Sequence, residues 1–154
     1  MLEIQPKDSR GYFMLPQKPE GAAYYTYGTP LSGAGQYAHQ KLLSLILMIE
    51  HRWQALDDRK IGIGNISLAG GAHYPPHDGH KSGRDVDIRL LRKDGKPVPV
   101  TRSDQQYDRD ATAKLIELFF ESHMIKVIYF NDLSIPQVKP ATYHDDHFHI
   151  TIKE

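Results

Sequence analysis

Histidine is concentrated in two short windows of this chain. Six of the nine histidines fall within residues 73–80 and 144–149. The first window is followed by Asp87, and the second contains Asp145 and Asp146. Neutral imidazole and carboxylate are the usual protein ligands of zinc once thiolate is excluded, and the chain has no cysteine. The clustering therefore predicts a metal site, and a metal on such ligands is typical of a hydrolase.

The alternation of side chains along a strand selects particular members of these windows. Residues i and i+2 of a strand point to the same side of a sheet. His147 and His149 therefore share one face of a predicted strand, and Asp85 and Asp87 share one face of another. If the two strands are neighbours, His149 and Asp87 converge on one ion.

A third ligand is available in the turn before the Asp87 strand. His80 precedes Asp87 by seven residues, and Gly79 and Gly83 allow the chain to fold His80 back over the strand end. Catalytic zinc sites keep three protein ligands and one open position for water. We therefore predict that His80, Asp87 and His149 bind Zn²⁺. The open position would let the metal lower the pKa of a water molecule and polarise a carbonyl group.

The remaining histidines of the windows are candidates for catalytic work. His147 lies two residues from a predicted ligand and on the same face. It is placed to hydrogen-bond the water of the open position or the developing oxyanion. His77 and His144 could assist His147, either as hydrogen-bond donors to the metal ligands or through contacts with the substrate.

Asp85 has two interpretations that the sequence leaves open. It could orient His80 or His147 through a hydrogen bond, or it could form a surface ion pair with Arg84 or Arg89. Spacing alone does not separate these roles, because all of these residues lie within reach of one strand or its neighbour.

Two other chemistries fit the residues less well. His144 and Asp146 form the His-x-Asp of the iron facial triad, but that triad needs a histidine well downstream, and only eight residues follow Asp146. No serine, histidine and aspartate arrangement stands in a strand-turn-helix context, which argues against a serine hydrolase.

Length and composition indicate one ordinary globular domain over residues 1–154. The formal net charge is zero, which provides no argument for nucleic acid or an anionic membrane as partner. The longest apolar stretch, residues 42–49, is far too short for a membrane span. Residues 1–8 lack the features of a secretory signal, so we expect synthesis in the cytoplasm and export by another route.

Periodicity predicts an α+β fold with two main helices on a mostly antiparallel sheet. Residues 1–35 are rich in proline, glycine and tyrosine and are expected to form an irregular arm. Its Tyr24, Tyr25 and Tyr27 are expected to pack on the core, with stacking on a ligand as the alternative. Helices are predicted over residues 36–57 and from Ser103 or Asp104 to about residue 123. The predicted strands are residues 61–68, 85–91, 97–101 (returning after a turn at Asp94-Gly95), 126–130 and 147–152.

The two windows resemble the signature of the lysostaphin, D-Ala-D-Ala peptidase and hedgehog group of zinc peptidases. Within that group they most resemble the penicillin-insensitive murein endopeptidases. The first motif of those enzymes is His-x-x-His-x-x-Gly-x-x-x-Asp and the second is His-x-x-His-x-His. The matching positions in this chain are His77, His80, Gly83 and Asp87, then His144, His147 and His149.

The resemblance implies the compact α+β core of that group, a zinc cofactor and a peptidoglycan substrate. The bond cut would be a peptide cross-link of the D-Ala-meso-diaminopimelate type. By carry-over, His80, Asp87 and His149 would bind the metal, His147 would assist catalysis, and His77 and His144 would line the site. The murein endopeptidase assignment thus selects the same three ligands as the spacing argument.

The resembled enzymes carry a signal peptide and disulfides, whereas we expect no signal peptide from residues 1–8 of this chain, and the sequence contains no cysteine. This difference favours a cell-wall hydrolase delivered by another machine into the periplasm or onto the wall. If a contractile secretion system delivers the protein, we expect an antibacterial effector that has an immunity protein. If a phage holin releases it, we expect a lysis enzyme. Two alternative functions remain: a non-catalytic, zinc-stabilised cell-wall-binding module, and a zinc dipeptidase or carboxypeptidase of the same group.

Overall fold

The computed structural model describes residues 7–154 and shows a small α+β domain. Five strands form one sheet in the order β2-β4-β5-β7-β6, in which only the β2–β4 pair is parallel. A separate ribbon pairs β1 with β3. The strands are β1 Phe13–Met14, β2 Tyr24–Thr26, β3 Tyr37–Ala38, β4 Ile61–Ile63, β5 Asp85–Arg89, β6 Ile125–Tyr129 and β7 His147–Ile152. The helices are α1 Gln40–Gln54 and α2 Arg109–Glu121.

The α+β prediction is confirmed, and the core explains why one sheet face is left for chemistry. Apolar residues of α1 and α2, such as Leu45 and Phe119, pack in one buried cluster with alternate residues of β5 and β7, such as Val86 and Phe148. Because side chains alternate along a strand, the intervening residues of β5 and β7 point away from the helices. That second face carries Asp87 and its neighbours.

The first 35 residues are less irregular than predicted. Residues 1–6 lie outside the described part of the chain. Beyond them, β2 joins the edge of the main sheet in parallel with β4, pairing Tyr24 with Ile61 and Thr26 with Ile63. The sequence offers no local signal for this pairing, because a parallel partner depends on a distant segment of the chain.

The predicted return strand at residues 97–101 is wrong: the structure shows a bend at residues 97–98 and no regular secondary structure at residues 99–101. Pro97 and Pro99 have no N–H group to donate to a ladder. Their carbonyl oxygens instead accept hydrogen bonds from the guanidinium groups of Arg89 and Arg92, at 3.2 and 3.0 Å. Side chains therefore satisfy two carbonyl groups of this segment.

Both helices begin later than the periodicity suggested. His39, which precedes α1, accepts a hydrogen bond from the backbone N–H of Lys41 on Nδ1. Asp104 caps a turn by accepting the N–H of Thr101 at 2.7 Å rather than capping α2. Asp108 is the true cap of α2.

We expect Asp108→Ala to lower the free energy of unfolding at neutral pH by about 1–2 kcal/mol. The carboxylate of Asp108 accepts the N–H of Ala111 at 3.0 Å and a guanidinium N–H of Arg59 at 2.8 Å. Burial would raise its pKa, but these hydrogen bonds outweigh burial and lower it. A lowered pKa in the folded state means that the stabilisation is present above the unfolded pKa and disappears as pH falls through the folded value.

Urea unfolding of wild type and Asp108→Ala at several pH values would measure this effect. The two proteins should differ at pH 7 and converge in strong acid. Asp110→Ala is the control, because the side chain of Asp110 is 90% exposed in the first turn of the same helix. An equal loss in both variants, or a difference that persists in strong acid, would contradict the assignment of this cap.

Candidate metal centre and catalytic site

The pairing of β5 with β7 brings Asp87 and His149 together. The strands are antiparallel neighbours, with Asp87 opposite His149 and Arg89 opposite His147. Residues directly opposite each other share one face of a sheet. The Nδ1 atom of His149 lies 2.9 Å from Oδ1 of Asp87. The two strands are neighbours and the two side chains meet, whereas their binding of one ion stays a prediction.

His80 reaches the same carboxylate from the loop before β5. Its backbone adopts a left-handed conformation with φ of 57°, and its side chain is buried. Nδ1 of His80 lies 3.1 Å from the carbonyl oxygen of Ile66. A carbonyl oxygen only accepts, so we assign the ring proton to Nδ1. Nε2 then presents a lone pair towards Oδ1 of Asp87 at 3.3 Å.

The contact between His80 and Asp87 matches the separation of two zinc ligands. Two acceptor atoms that face each other at 3.3 Å repel unless a proton or a metal cation compensates. With bonds of about 2.0–2.1 Å, two ligands of a tetrahedral zinc ion stand about 3.3 Å apart. The His80–Asp87 pair therefore has a separation compatible with two ligands of one metal ion such as zinc.

His77 completes a compact group with these two residues. His77, His80 and Asp87 each place one ligand atom so that all lie within 4.8 Å of one another, and this group could hold a metal ion. Nε2 of His77 also lies 3.1 Å from Nδ2 of Asn65. The Asn65 carbonyl oxygen accepts the N–H of Thr29 and the hydroxyl of Tyr74, so Nδ2 is the donor towards His77. We therefore assign the proton of neutral His77 to Nδ1.

Asp85 takes neither of the roles suggested by the sequence. Its Oδ1 lies 3.4 Å from Nε2 of His149 and accepts the hydroxyl of Thr151 at 2.7 Å. The prediction that it orients His80 or His147, or pairs with Arg84 or Arg89, is wrong. The physical reason is register: Asp85 faces Thr151 across the ladder, two residue pairs beyond the Asp87–His149 pair and on the same sheet face. A carboxylate on Nε2 leaves Nδ1 of His149 directed at Asp87.

The pKa values of Asp87 and His149 reflect this network. Burial alone would lower the pKa of His149, but the hydrogen bonds to Asp85 and Asp87 outweigh it and raise the pKa to about 9. Burial would raise the pKa of Asp87, whereas the hydrogen bond from His149, the largest of several histidine contacts that lower it, holds it well below its usual range. Asp87 is therefore a buried carboxylate anion that needs a positive partner.

His147 and His144 each have one ring nitrogen anchored outside the centre. Nδ1 of His147 lies 2.7 Å from the carboxylate of Asp146, and its Nε2 lies 3.7 Å from Oδ1 of Asp87. Nδ1 of His144 lies 2.7 Å from the carbonyl oxygen of Thr142. Burial lowers the pKa of His144, so a neutral ring with a free Nε2 is favoured at neutral pH. The two rings are neighbours, with centroids 4.8 Å apart.

All six predicted site residues line one cavity of about 730 Å³. They are His77, His80, Asp87, His144, His147 and His149. The structure adds Tyr129, which faces His149 across the β6–β7 ladder, and Tyr143, whose side chain is 87% exposed. Tyr129 could have been found from strand alternation, because it shares the face of its partner. Asn65 carried no motif, since its role depends on the fold of the loop before His77.

No protein-family model matches this chain, and a search of curated proteins found no match. Neither helix among residues 7–154 combines the length and apolar character that a membrane span requires.

Proposed function

We propose that the protein is a zinc-dependent peptidoglycan endopeptidase that hydrolyses peptide cross-links of the D-Ala-meso-diaminopimelate type. The observation that carries the proposal is a buried carboxylate surrounded by three histidines. The ring nitrogen of each histidine that points away from the carboxylate has an acceptor of its own. Asp87 contacts His80, His147 and His149 at 3.3, 3.7 and 2.9 Å in a cavity of about 730 Å³. The peptidoglycan substrate rests on the resemblance of the two histidine motifs.

His80, Asp87 and His149 are the metal ligands in this proposal. His80 has its Nδ1 proton on a backbone carbonyl, and His149 has Nε2 beside the carboxylate of Asp85. An outer acceptor of this kind fixes the ring and increases the basicity of the inner nitrogen. His77 differs, because Asn65 donates to its Nε2 and so occupies that lone pair. His77 thus fits a role as a hydrogen-bond donor to the substrate through Nδ1.

Zinc, when bound, would supply Lewis-acid chemistry by polarising a carbonyl group and acidifying a water molecule. Side chains of the protein would transfer the proton and orient the substrate. His147 accepts a proton on Nε2 from the attacking water, while Asp146 holds its Nδ1 proton and stabilises the imidazolium cation. His77 and His144 flank the reacting carbonyl group and orient it. The same His147 then returns its proton to the leaving amine.

Digestion of purified sacculi tests this proposal. Zinc-loaded protein should reduce the content of cross-linked dimers, and a chelator should stop the loss until zinc is restored. Mass spectrometry of the soluble muropeptides would identify the bond that is cut. Intact dimers in the presence of bound zinc would overturn the endopeptidase. Retained binding to sacculi without cleavage would then indicate a wall-binding module, and cleavage of free dipeptides would indicate a small-peptide enzyme.

A further inference from the structure

The sheet face that carries the site continues past the metal ligands to Arg89. Arg89 follows Asp87 by two residues on β5 and lies opposite His147 on β7. Residues i and i+2 of a strand are about 6.6 Å apart along the chain and share a face. A substrate group bound at Arg89 would therefore lie beside the residue to which the proposed function assigns proton transfer.

The Arg89 guanidinium rests on a platform of two tyrosines. Its central carbon lies 4.0 Å from the ring centre of Tyr27 and 5.9 Å from that of Tyr25. The two rings lie over glycines of the neighbouring chain segment. A Cβ atom on Gly62 would come within 2.7 Å of the Tyr25 hydroxyl, and one on Gly64 within 2.4 Å of Cζ of Tyr27.

Glycine within or beside a strand is unfavourable and often marks a close approach. Here the rings of Tyr25 and Tyr27 lie against the backbone of Gly62 and Gly64. The same rings face the guanidinium of Arg89. Stacking of this kind holds an arginine in place while its N–H groups remain available to a ligand. The platform therefore preorganises Arg89 on the face that carries the site.

Arg89 has donors to spare. One Nη1–H donates to the carbonyl oxygen of Pro97 at 3.2 Å. A guanidinium has five N–H donors. Of the eight arginines in the sequence, six form an ion pair with a carboxylate inside residues 7–154, and Arg89 does not. A cation held in place without a carboxylate suits an anionic ligand.

The crevice beside Arg89 is also cationic. Arg59, Lys60, Arg92 and Lys96 line it. Arg59 and Arg92 are neutralised by aspartates, whereas Lys60 and Lys96 form no ion pair with another residue of the described chain. Their charges add a positive potential that attracts anions towards Arg89.

We propose that Arg89 is a specificity residue that binds a carboxylate of the substrate. The inference rests on the proposed function, in which the substrate is a peptide cross-link. The nearest carboxylate to the bond that is cut belongs to the diaminopimelate residue that supplies the amide nitrogen. Arg89 donates two parallel N–H···O hydrogen bonds to this carboxylate, a geometry that a guanidinium provides and an ammonium group does not.

The test compares two cross-linked muropeptides that differ only at that carboxylate, which is free in one and a carboxamide in the other. Arg89→Gln should raise KM for the free carboxylate about ten- to hundredfold, the usual effect of losing hydrogen bonds to a charged group, and leave kcat within about twofold. The carboxamide substrate should be processed by wild type with a similarly raised KM and should be insensitive to Arg89→Gln. Arg89→Lys should recover only part of the affinity.

Arg52→Gln is the matched control, because Arg52 forms an exposed ion pair with Glu121 on the helices. Thermal unfolding of each variant separates loss of the platform from loss of the ligand contact. An equal KM for both substrates in wild type would overturn the inference even if cross-links are cut. If wild type cuts neither substrate, calorimetric titration with the two uncleaved muropeptides decides. Tighter binding of the free carboxylate that depends on Arg89 would support the inference, and equal binding would overturn it.

Discussion

The zinc content of Asp87→Asn is expected to fall to near zero after dialysis, and its hydrolytic activity is expected to vanish with it. Asparagine keeps the shape of the side chain but removes the negative charge that three histidines surround. Altering a residue that merely supports a metal ligand already weakens binding about ten- to hundredfold. Loss of a ligand with its charge should cost more than that. Metal analysis per chain measures the effect directly.

Asp110→Asn provides the matched control for this substitution. Asp110 is an exposed aspartate at the start of α2, so its replacement should leave one zinc ion per chain. Circular dichroism of both variants separates loss of metal from loss of the fold. One zinc ion per chain in Asp87→Asn would show that Asp87 is not a ligand.

Comparison of His149→Ala with His77→Ala decides which third residue binds the metal. The structure places His77 in the compact group with His80 and Asp87, whereas the orientation of His149 by Asp85 favours His149 as the ligand. We expect His149→Ala to lose zinc and His77→Ala to retain it. The reverse result would replace His149 by His77 in the metal site and leave the rest of the proposal intact.

His147→Ala is expected to lower kcat by about 10²–10⁴-fold while zinc binding stays close to that of wild type. That range is the usual contribution of a positioned general acid or base. Nε2 of His147 faces Asp87 at 3.7 Å, a longer contact than those made by His80 and His149, and its Nδ1 is held by Asp146. The side chain is thus placed to move protons beside the metal ligands.

Parallel measurement of zinc content and kcat checks the division of roles. His51→Ala is the control, since His51 is an exposed histidine of α1. Asp146→Asn should give a smaller loss of kcat than His147→Ala, because it removes the partner of the imidazolium cation and leaves the base in place. Loss of zinc from His147→Ala as complete as that from His149→Ala would show that His147 is a ligand.

Much of the site could be predicted from the sequence because it lies on two strands. Strand alternation placed Asp87 on the face shared with Asp85, and His149 on the face shared with His147. Once the two strands pair in antiparallel fashion, only the register decides whether Asp87 and His149 meet. In the structure Asp87 lies directly opposite His149. The glycines around His80 indicated a turn, and its backbone does adopt a left-handed conformation.

The contacts that orient these side chains depended on the tertiary structure. The ladder places Asp85 opposite Thr151, whose hydroxyl donates to the carboxylate, and this position brings Asp85 beside Nε2 of His149. No local sequence pattern distinguishes this contact from an ion pair with a neighbouring arginine. Asn65 reaches His77 across a folded loop. The tyrosine platform under Arg89 needs β2 to join β4 in parallel, a pairing between segments about 37 residues apart in the chain.

Local periodicity thus determined which residue types stand on which face of each strand, because alternation is a property of the backbone itself. It also determined the α+β class and the approximate helices. Three features arose only when distant segments packed together: partners across long loops, the ring nitrogen that each histidine presents, and the lack of a carboxylate partner for Arg89 within residues 7–154. Those features depend on distances of a few ångströms between groups that the chain order does not relate.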